Sequence, residues 1–171
     1  SSKYLFRRPW LTVRCEDMLL PNGNHIPEYY ILEYPDWVNM IAITKEGKFV
    51  FVRQYRPGIG RTCYELCAGV CEKEDVSPLV SAQRELWEET GYGNGNWQEY
   101  MVVSANPSTH TNLTHCFLAT DVELIDHQHL EATEDISVHL FTLEEVRTLL
   151  ENNEIMQSLN AAPLWKYMAS L

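Results

Sequence analysis

The sequence predicts an α+β protein, a three-layer α/β/α sandwich with a mixed sheet and a small N-terminal antiparallel β-sheet. Strand-length apolar runs outnumber helical stretches and do not alternate with them as regular βαβ units would. One helix, between Ser77 and Gly91, carries boundary signals at both ends. A break at Tyr34-Pro35-Asp36 divides a small strand-rich segment, residues 1–36, from residues 37–171.

Within the first segment, Trp10 to Cys15 reads as a strand leading to a Pro21-Asn22-Gly23-Asn24 turn, and Tyr29 to Tyr34 returns. A second hairpin runs from Val38 to Thr44 and from Phe49 to Gln54 around Lys45-Glu46-Gly47-Lys48. Tyr64 to Cys67 reads as a further short strand. The bounded helix follows, with Ser77 as N-cap, Pro78 at the first helical position and Gly91 at C′. Strands are expected near 98–104, 113–120 and 136–141. Thr142 and Glu145 then form a capping box that opens a second helix, and residues 155–170 make a terminal helix interrupted at Pro163.

The bounded helix ends on Arg84-Glu85-Leu86-Trp87-Glu88-Glu89-Thr90-Gly91-Tyr92. Arg84 can pair with Glu88, but Glu85 and Glu89 have no cation at helical spacing, so the turn repels itself unless positive charge sits against it. A divalent, oxygen-preferring metal is the simplest such charge. At about 100° per residue the three glutamates share an arc of roughly 100°, beside the apolar arc of Leu79, Ala82 and Leu86. That places them at the edge of a cleft. The competing reading is an amphipathic helix with an acidic, solvated edge. Trp87 and Val80 fall on the opposite face, where the C-terminal helix or a partner subunit is expected to cover them.

Composition limits the alternatives. With 171 residues, 45% of them hydrophobic, the chain can bury a core. A net charge of −11 argues against nucleic acid as a partner and requires local cations for any anionic substrate. No run is long enough to span a membrane, and nothing at Ser1 to Tyr4 resembles a signal peptide, so no membrane partner is expected. Five cysteines, an odd number, suggest reduced thiols in the cytoplasm. Cys63, Cys67 and Cys71 recur every four residues, yet the neighbouring Gly69 and apolar residues favour packed thiols over metal ligands. His127-x-His129 lies in a polar loop without a third ligand in evidence, and hydrogen-bonding roles are expected for His110 and His115.

Arg84 to Tyr92 resembles the signature of the Nudix hydrolases, which cleave diphosphates linked to another moiety, at every position of Arg-Glu-apolar-any-Glu-Glu-any-Gly-apolar. Upstream, Gly69 is followed by five residues and Asp75, where the family carries Glu, and then by eight residues where it has seven. Gln54-Tyr55-Arg56, Glu65 to Gly69, Pro107 and Glu134 to His139 resemble the ADP-ribose pyrophosphatase and nucleoside diphosphate sugar hydrolase branch. Cys67 stands where that branch usually has proline, and Ser108 where it has glycine.

The resemblance implies a Nudix-type sandwich that binds Mg²⁺, with Mn²⁺ as the alternative. Glu85 and Glu89 would be direct ligands, Glu88 a ligand directly or through water, and the Ala68 carbonyl a further one, with Arg84 orienting them. Glu134 is the first choice for the catalytic base and Glu131 the second. Arg56 is expected on the phosphates or the terminal sugar, with Arg53 and Pro107 as further substrate-binding candidates and Trp37 or Trp10 available to stack on a base. A homodimer is implied, its N-terminal sheets crossing to the partner.

The leading expectation is therefore metal-dependent hydrolysis of ADP-ribose or a related nucleoside diphosphate sugar. The alternatives are another diphosphate substrate, such as GDP-mannose or a dinucleotide, and a Nudix-fold sensor that binds such a metabolite without cleaving it.

Overall fold

A computed structural model describes all 171 residues. Residues 1–36 contribute an antiparallel sheet of β1 (Ser2–Arg8), β2 (Leu11–Leu19) and β3 (His25–Glu33). The sequence signals its second hairpin, but β1 is an additional strand, and Trp10 sits in the turn between β1 and β2 instead of opening a strand. Its side chain is 83% exposed.

The main sheet has eight strands. Its central pair, β4 (Trp37–Thr44) and β10 (Thr114–Leu124), is parallel, while β5 (Phe49–Arg56) and β11 (Ser137–Phe141) extend one side antiparallel. The strand expected at Tyr64 to Cys67 divides in two. β6 (Arg61–Glu65) pairs with β5, and β7 (Cys67–Val70) crosses to pair with β4. On the other side, β8 (Tyr92–Gly93) and β9 (Asn96–Val103) both pair with β10.

β4 explains the layering. Its side chains alternate between two buried faces. Val38, Met40 and Ala42 join Val50, Val52 and the helical residues Ala82 and Leu86 in one core. Ile41 and Ile43 join Phe49, Phe51, Val146, Leu149, Leu164 and Met168 in another. Helix α1 (Pro78–Thr90) covers the first face, while α2 (Leu143–Glu151) and α3 (Ser158–Ala169) cover the second. The architecture is therefore the expected three-layer sandwich. Full burial of Leu86 and Leu164 stabilises each face by about 1.5–3 kcal/mol per side chain.

The helix boundaries follow the local signals. Ser77 Oγ accepts the Val80 N–H, and Gly91 adopts φ 75° while donating to the Trp87 carbonyl. A side chain at Gly91 would also collide with the Asp126 carbonyl. Thr142 and Glu145 form the reciprocal capping box. The expectation at Pro163 is corrected: α3 runs through it without interruption. Proline withholds one N–H from the carbonyl four residues back. That carbonyl belongs to Leu159, and it accepts a 2.7 Å bond from Asn39 Nδ2 on β4 instead. No helix is long and apolar enough to cross a membrane.

Candidate active site

α1 lies against β7, and the two elements bring the acidic turn to one wall of a cleft of about 420 Å³. Glu85, Glu88 and Glu89 line it together with Arg84, Ala68, Gly69 and Val70. Glu89 is 6% exposed and accepts the Ala68 N–H at 3.2 Å; Glu85 accepts the Val70 N–H at 3.3 Å. Gly69 makes the close approach possible. A Cβ there would occupy the space of the Glu85 carboxyl group.

Arg84 makes the expected pair with Glu88, at 2.9 Å. It also pairs with Glu85 at 3.0 Å, a neighbour outside helical i,i+3 or i,i+4 spacing that the long planar fork still reaches. Nη2 bonds the Val70 carbonyl and Asp75 Oδ2, each at 3.0 Å. Asp75, the position where the signature departs from glutamate, is thus the anchor of Arg84, and it also accepts from Ser81 Oγ at 2.7 Å. The Arg84 guanidinium holds the Asp75 carboxyl below its ordinary range.

Two carboxyls behave differently. Burial pushes Glu85 up to about 7 against the pull of Arg84, and burial pushes Glu89 up to about 7 as well, with Glu85 adding repulsion. One guanidinium does not compensate three glutamates in a partly dry cleft. The donor set, all oxygen and short of positive charge, fits a divalent hard cation. Cys67, fully buried behind this turn, has its thiol pushed well up by burial, and Cys63 is buried too, in keeping with packed thiols.

The rest of the lining comes from Gln54 and Arg56 on β5 and from His129, Glu131 and Glu134 in the loop between β10 and β11. Arg56 is aimed by buried Glu65, which receives its Nε at 2.9 Å and Nη2 at 2.5 Å. Glu65 is assigned no role from sequence; it lies opposite Val52 in the β5–β6 pair, on the same face of the ladder as Arg56, and reaches the guanidinium diagonally, a relationship that only the pairing of the two strands reveals. Glu134 accepts the Glu131 N–H at 2.8 Å, closing a turn that keeps both carboxyls at the cleft. Trp10 also lines this cleft, reaching it from the β1–β2 turn.

Three expected residues lie elsewhere. Arg53 is not in the cleft: the two-residue period of β5 puts it on the opposite face from Gln54 and Arg56, where it lies over the Tyr64 ring. Pro107 sits on an exposed turn of the loop that docks on β3, through Tyr29 Oη to the Ser108 carbonyl and the Leu32 N–H to Thr109. Trp37 lines an adjoining cavity of about 370 Å³, which shares Arg56, Ala68, Gly69 and Val70 with the cleft. Its ring packs against Tyr34 and His110. His115 faces Glu99 and Asp36, 3.0 and 3.6 Å away.

Trp87 and Val80 are not covered by α3, which packs on the far side of the sheet. Val80 stays exposed, and Trp87 is covered by His129, whose ring stacks on it at 4.1 Å.

Residues 34–161 match the model of the NUDIX domain. The chain belongs to the Nudix family. Residues 1–32 match the nucleoside diphosphate sugar hydrolase N-terminal domain. An ADP-ribose pyrophosphatase of Bacillus subtilis (strain 168) is 31% identical, over 94% of this chain and 86% of that protein. A methanol dehydrogenase activator of Bacillus methanolicus is 29% identical, over 92% of this chain and 85% of that protein. Among solved structures, one described as the crystal structure of ADP compounds hydrolase superposes with a TM-score of 0.85 at 21% identity, covering 100% of this chain and 91% of that one. This Nudix chain is thus a diphosphatase related to the ADP-ribose pyrophosphatases, in a family that uses divalent metal ions.

Proposed function

We propose that this protein hydrolyses the diphosphate linkage of ADP-ribose or a related nucleoside diphosphate sugar, using Mg²⁺ or Mn²⁺. One observation carries the reading: half-buried Glu85 and buried Glu89 line one cleft together with Arg56, Glu131 and Glu134. A pure sensor has no use for three glutamates at a cost in repulsion. The likeness to the Bacillus subtilis ADP-ribose pyrophosphatase supports the substrate class.

Glu85 and Glu89 would hold the metal with the Ala68 carbonyl, and Glu88 would complete the set directly or through water. When bound, the metal neutralises phosphate charge and lowers the pKa of water. Arg84, anchored by Asp75, keeps Glu85 and Glu88 in place. Arg56 presents its remaining N–H donors to a phosphate or the terminal sugar, its orientation set by Glu65. Glu134, on the loop between β10 and β11, removes the proton of the attacking water. Trp10 and Trp37 offer aromatic faces to a base.

A homodimer in the cytoplasm is proposed with it. β1 is exposed along its whole length and carries Tyr4, Leu5 and Phe6 at 43–50% exposure, an apolar edge that a second copy would cover. A monomer in sedimentation at micromolar concentration contradicts that assembly.

The direct test supplies Mg²⁺ and a panel of ADP-ribose, nucleotide sugars including GDP-mannose, and dinucleotides, following phosphate-containing products. ADP-ribose is expected to give AMP and ribose 5-phosphate. Binding without turnover across the panel favours the sensor. Glu89→Gln should lower kcat by about 100-fold or more, the scale of losing one electrostatic stabiliser, with the fold intact. Wild-type turnover in that variant, or in excess chelator, removes the metal from the mechanism.

A further inference from the structure

One cluster of metal-ligating groups stands outside the carboxylate set. Asp126, His127 and His129 follow β10, and one ligand atom from each lies within 4.8 Å of the others. The third ligand that the sequence pattern lacked is Asp126, and it uses both oxygens. Oδ1 is 2.7 Å from His127 Nδ1 and Oδ2 is 3.0 Å from His129 Nε2. The two imidazole rings are 4.4 Å apart. Around a tetrahedral Zn²⁺ with bonds near 2.0–2.1 Å, ligand atoms stand about 3.3 Å from one another, within the range seen here.

Contacts outside the cluster hold this geometry. The His129 ring stacks on Trp87, and its backbone N–H donates to the Glu88 carbonyl at 2.8 Å. Gln128 donates to the Glu89 carbonyl at 2.7 Å and to the Ile136 carbonyl at 3.1 Å, and the Asp126 N–H reaches the Gly91 carbonyl at 3.1 Å. The segment is thus tied to the end of α1 by bonds that use none of the three ligand atoms, so little ordering remains to oppose binding.

We propose that Asp126, His127 and His129 form a second metal site, for one borderline transition cation of the Zn²⁺ class. Two imidazoles and one carboxylate suit Zn²⁺ or Co²⁺, whereas Mg²⁺ prefers oxygen ligands in octahedral geometry and takes the glutamate site. Three protein ligands leave the fourth position to water. Binding displaces any proton held on the imidazoles. His129 also borders the catalytic cleft, on the loop that carries Glu131 and Glu134, so an occupied site braces that loop against α1.

The test titrates Co²⁺ into the full chain with Mg²⁺ in large excess and follows visible absorption. One equivalent giving a tetrahedral-type band, discharged by Zn²⁺, is expected in the wild type and in Glu85→Gln. His127→Ala should weaken that equivalent by about 100-fold or more, beyond the roughly 10–100-fold cost of losing a partner behind a ligand. The His127 side chain is 79% exposed, so its removal leaves packing intact. Absence of the band in the wild type, unchanged affinity in His127→Ala, or loss of the equivalent in Glu85→Gln each overturns the site.

Discussion

Asn39 Nδ2 donates to the Leu159 carbonyl across 2.7 Å, supplying from β4 the hydrogen bond that Pro163 cannot supply from within α3. Asn39 is 1% exposed and Leu159 8%, so water does not replace the bond. Asn39→Ala should cost about 1–3 kcal/mol, the penalty for leaving a buried carbonyl unsatisfied. The melting temperature is then expected to fall by roughly 2–4 °C per kcal/mol. In a Pro163→Ala background the restored N–H can reach Leu159, and the same substitution should cost less. Equal costs in both backgrounds, from a double-mutant cycle in urea, refute the compensation.

Gly69→Ala separates the site from the fold. Gly69 does not use a left-handed backbone, so alanine is conformationally acceptable, but its methyl group claims the space of the Glu85 carboxyl. The carboxyl is the free end of a flexible chain and moves. Metal affinity by isothermal titration should drop at least about tenfold, with less than about 1 kcal/mol lost in stability, as for a change away from the packed core. Unchanged affinity rules out this cradle.

Stability of the metal-free protein should fall as pH rises towards neutral. Burial holds Glu85 and Glu89 at about 7, above the 4.5 of an unstrained glutamate, so the folded chain binds their protons more tightly than the unfolded one. Their contribution is complete below about 4.5 and is lost as pH climbs through about 7. Asp75, held low by Arg84, acts in the opposite sense and only under acid conditions, below its ordinary 3.8. Melting in excess chelator at pH 5 and pH 8 should show a larger loss in the wild type than in Glu85→Gln or Glu89→Gln. Saturating Mg²⁺ should restore the wild type at pH 8. Identical slopes in all three proteins exclude these two groups as the cause.

Glu134→Gln is expected to lower kcat by about 100-fold, at the lower end of general-base effects, while metal affinity stays the same. Glu131→Gln should have a much smaller effect. The reverse ranking, measured under saturating substrate, transfers the proton to Glu131.

Much of this was legible in the residues because it is local. Ser77, Pro78 and Gly91 bound a helix by capping rules that need only near neighbours, and the acidic turn reads as a cluster without tertiary information. What escaped depends on pairing across the sheet. Arg53 and Arg56 look alike in sequence, and only the face of β5 that each occupies sends one to Tyr64 and the other to Glu65. Pro163 signals a break by itself, and the distant Asn39 cancels the signal. Trp87 called for a cover, but the residue that provides it, His129, comes from a loop with no periodicity to read.

Trp10 gives the first sheet a stake in the chemistry. From the β1–β2 turn it lines a cleft otherwise walled by residues 54–134, so the two parts of the chain contribute to one cleft. If the proposed function holds, exchanging the first 32 residues for another segment is expected to alter which molecules the cleft accepts even with every glutamate of α1 left in place.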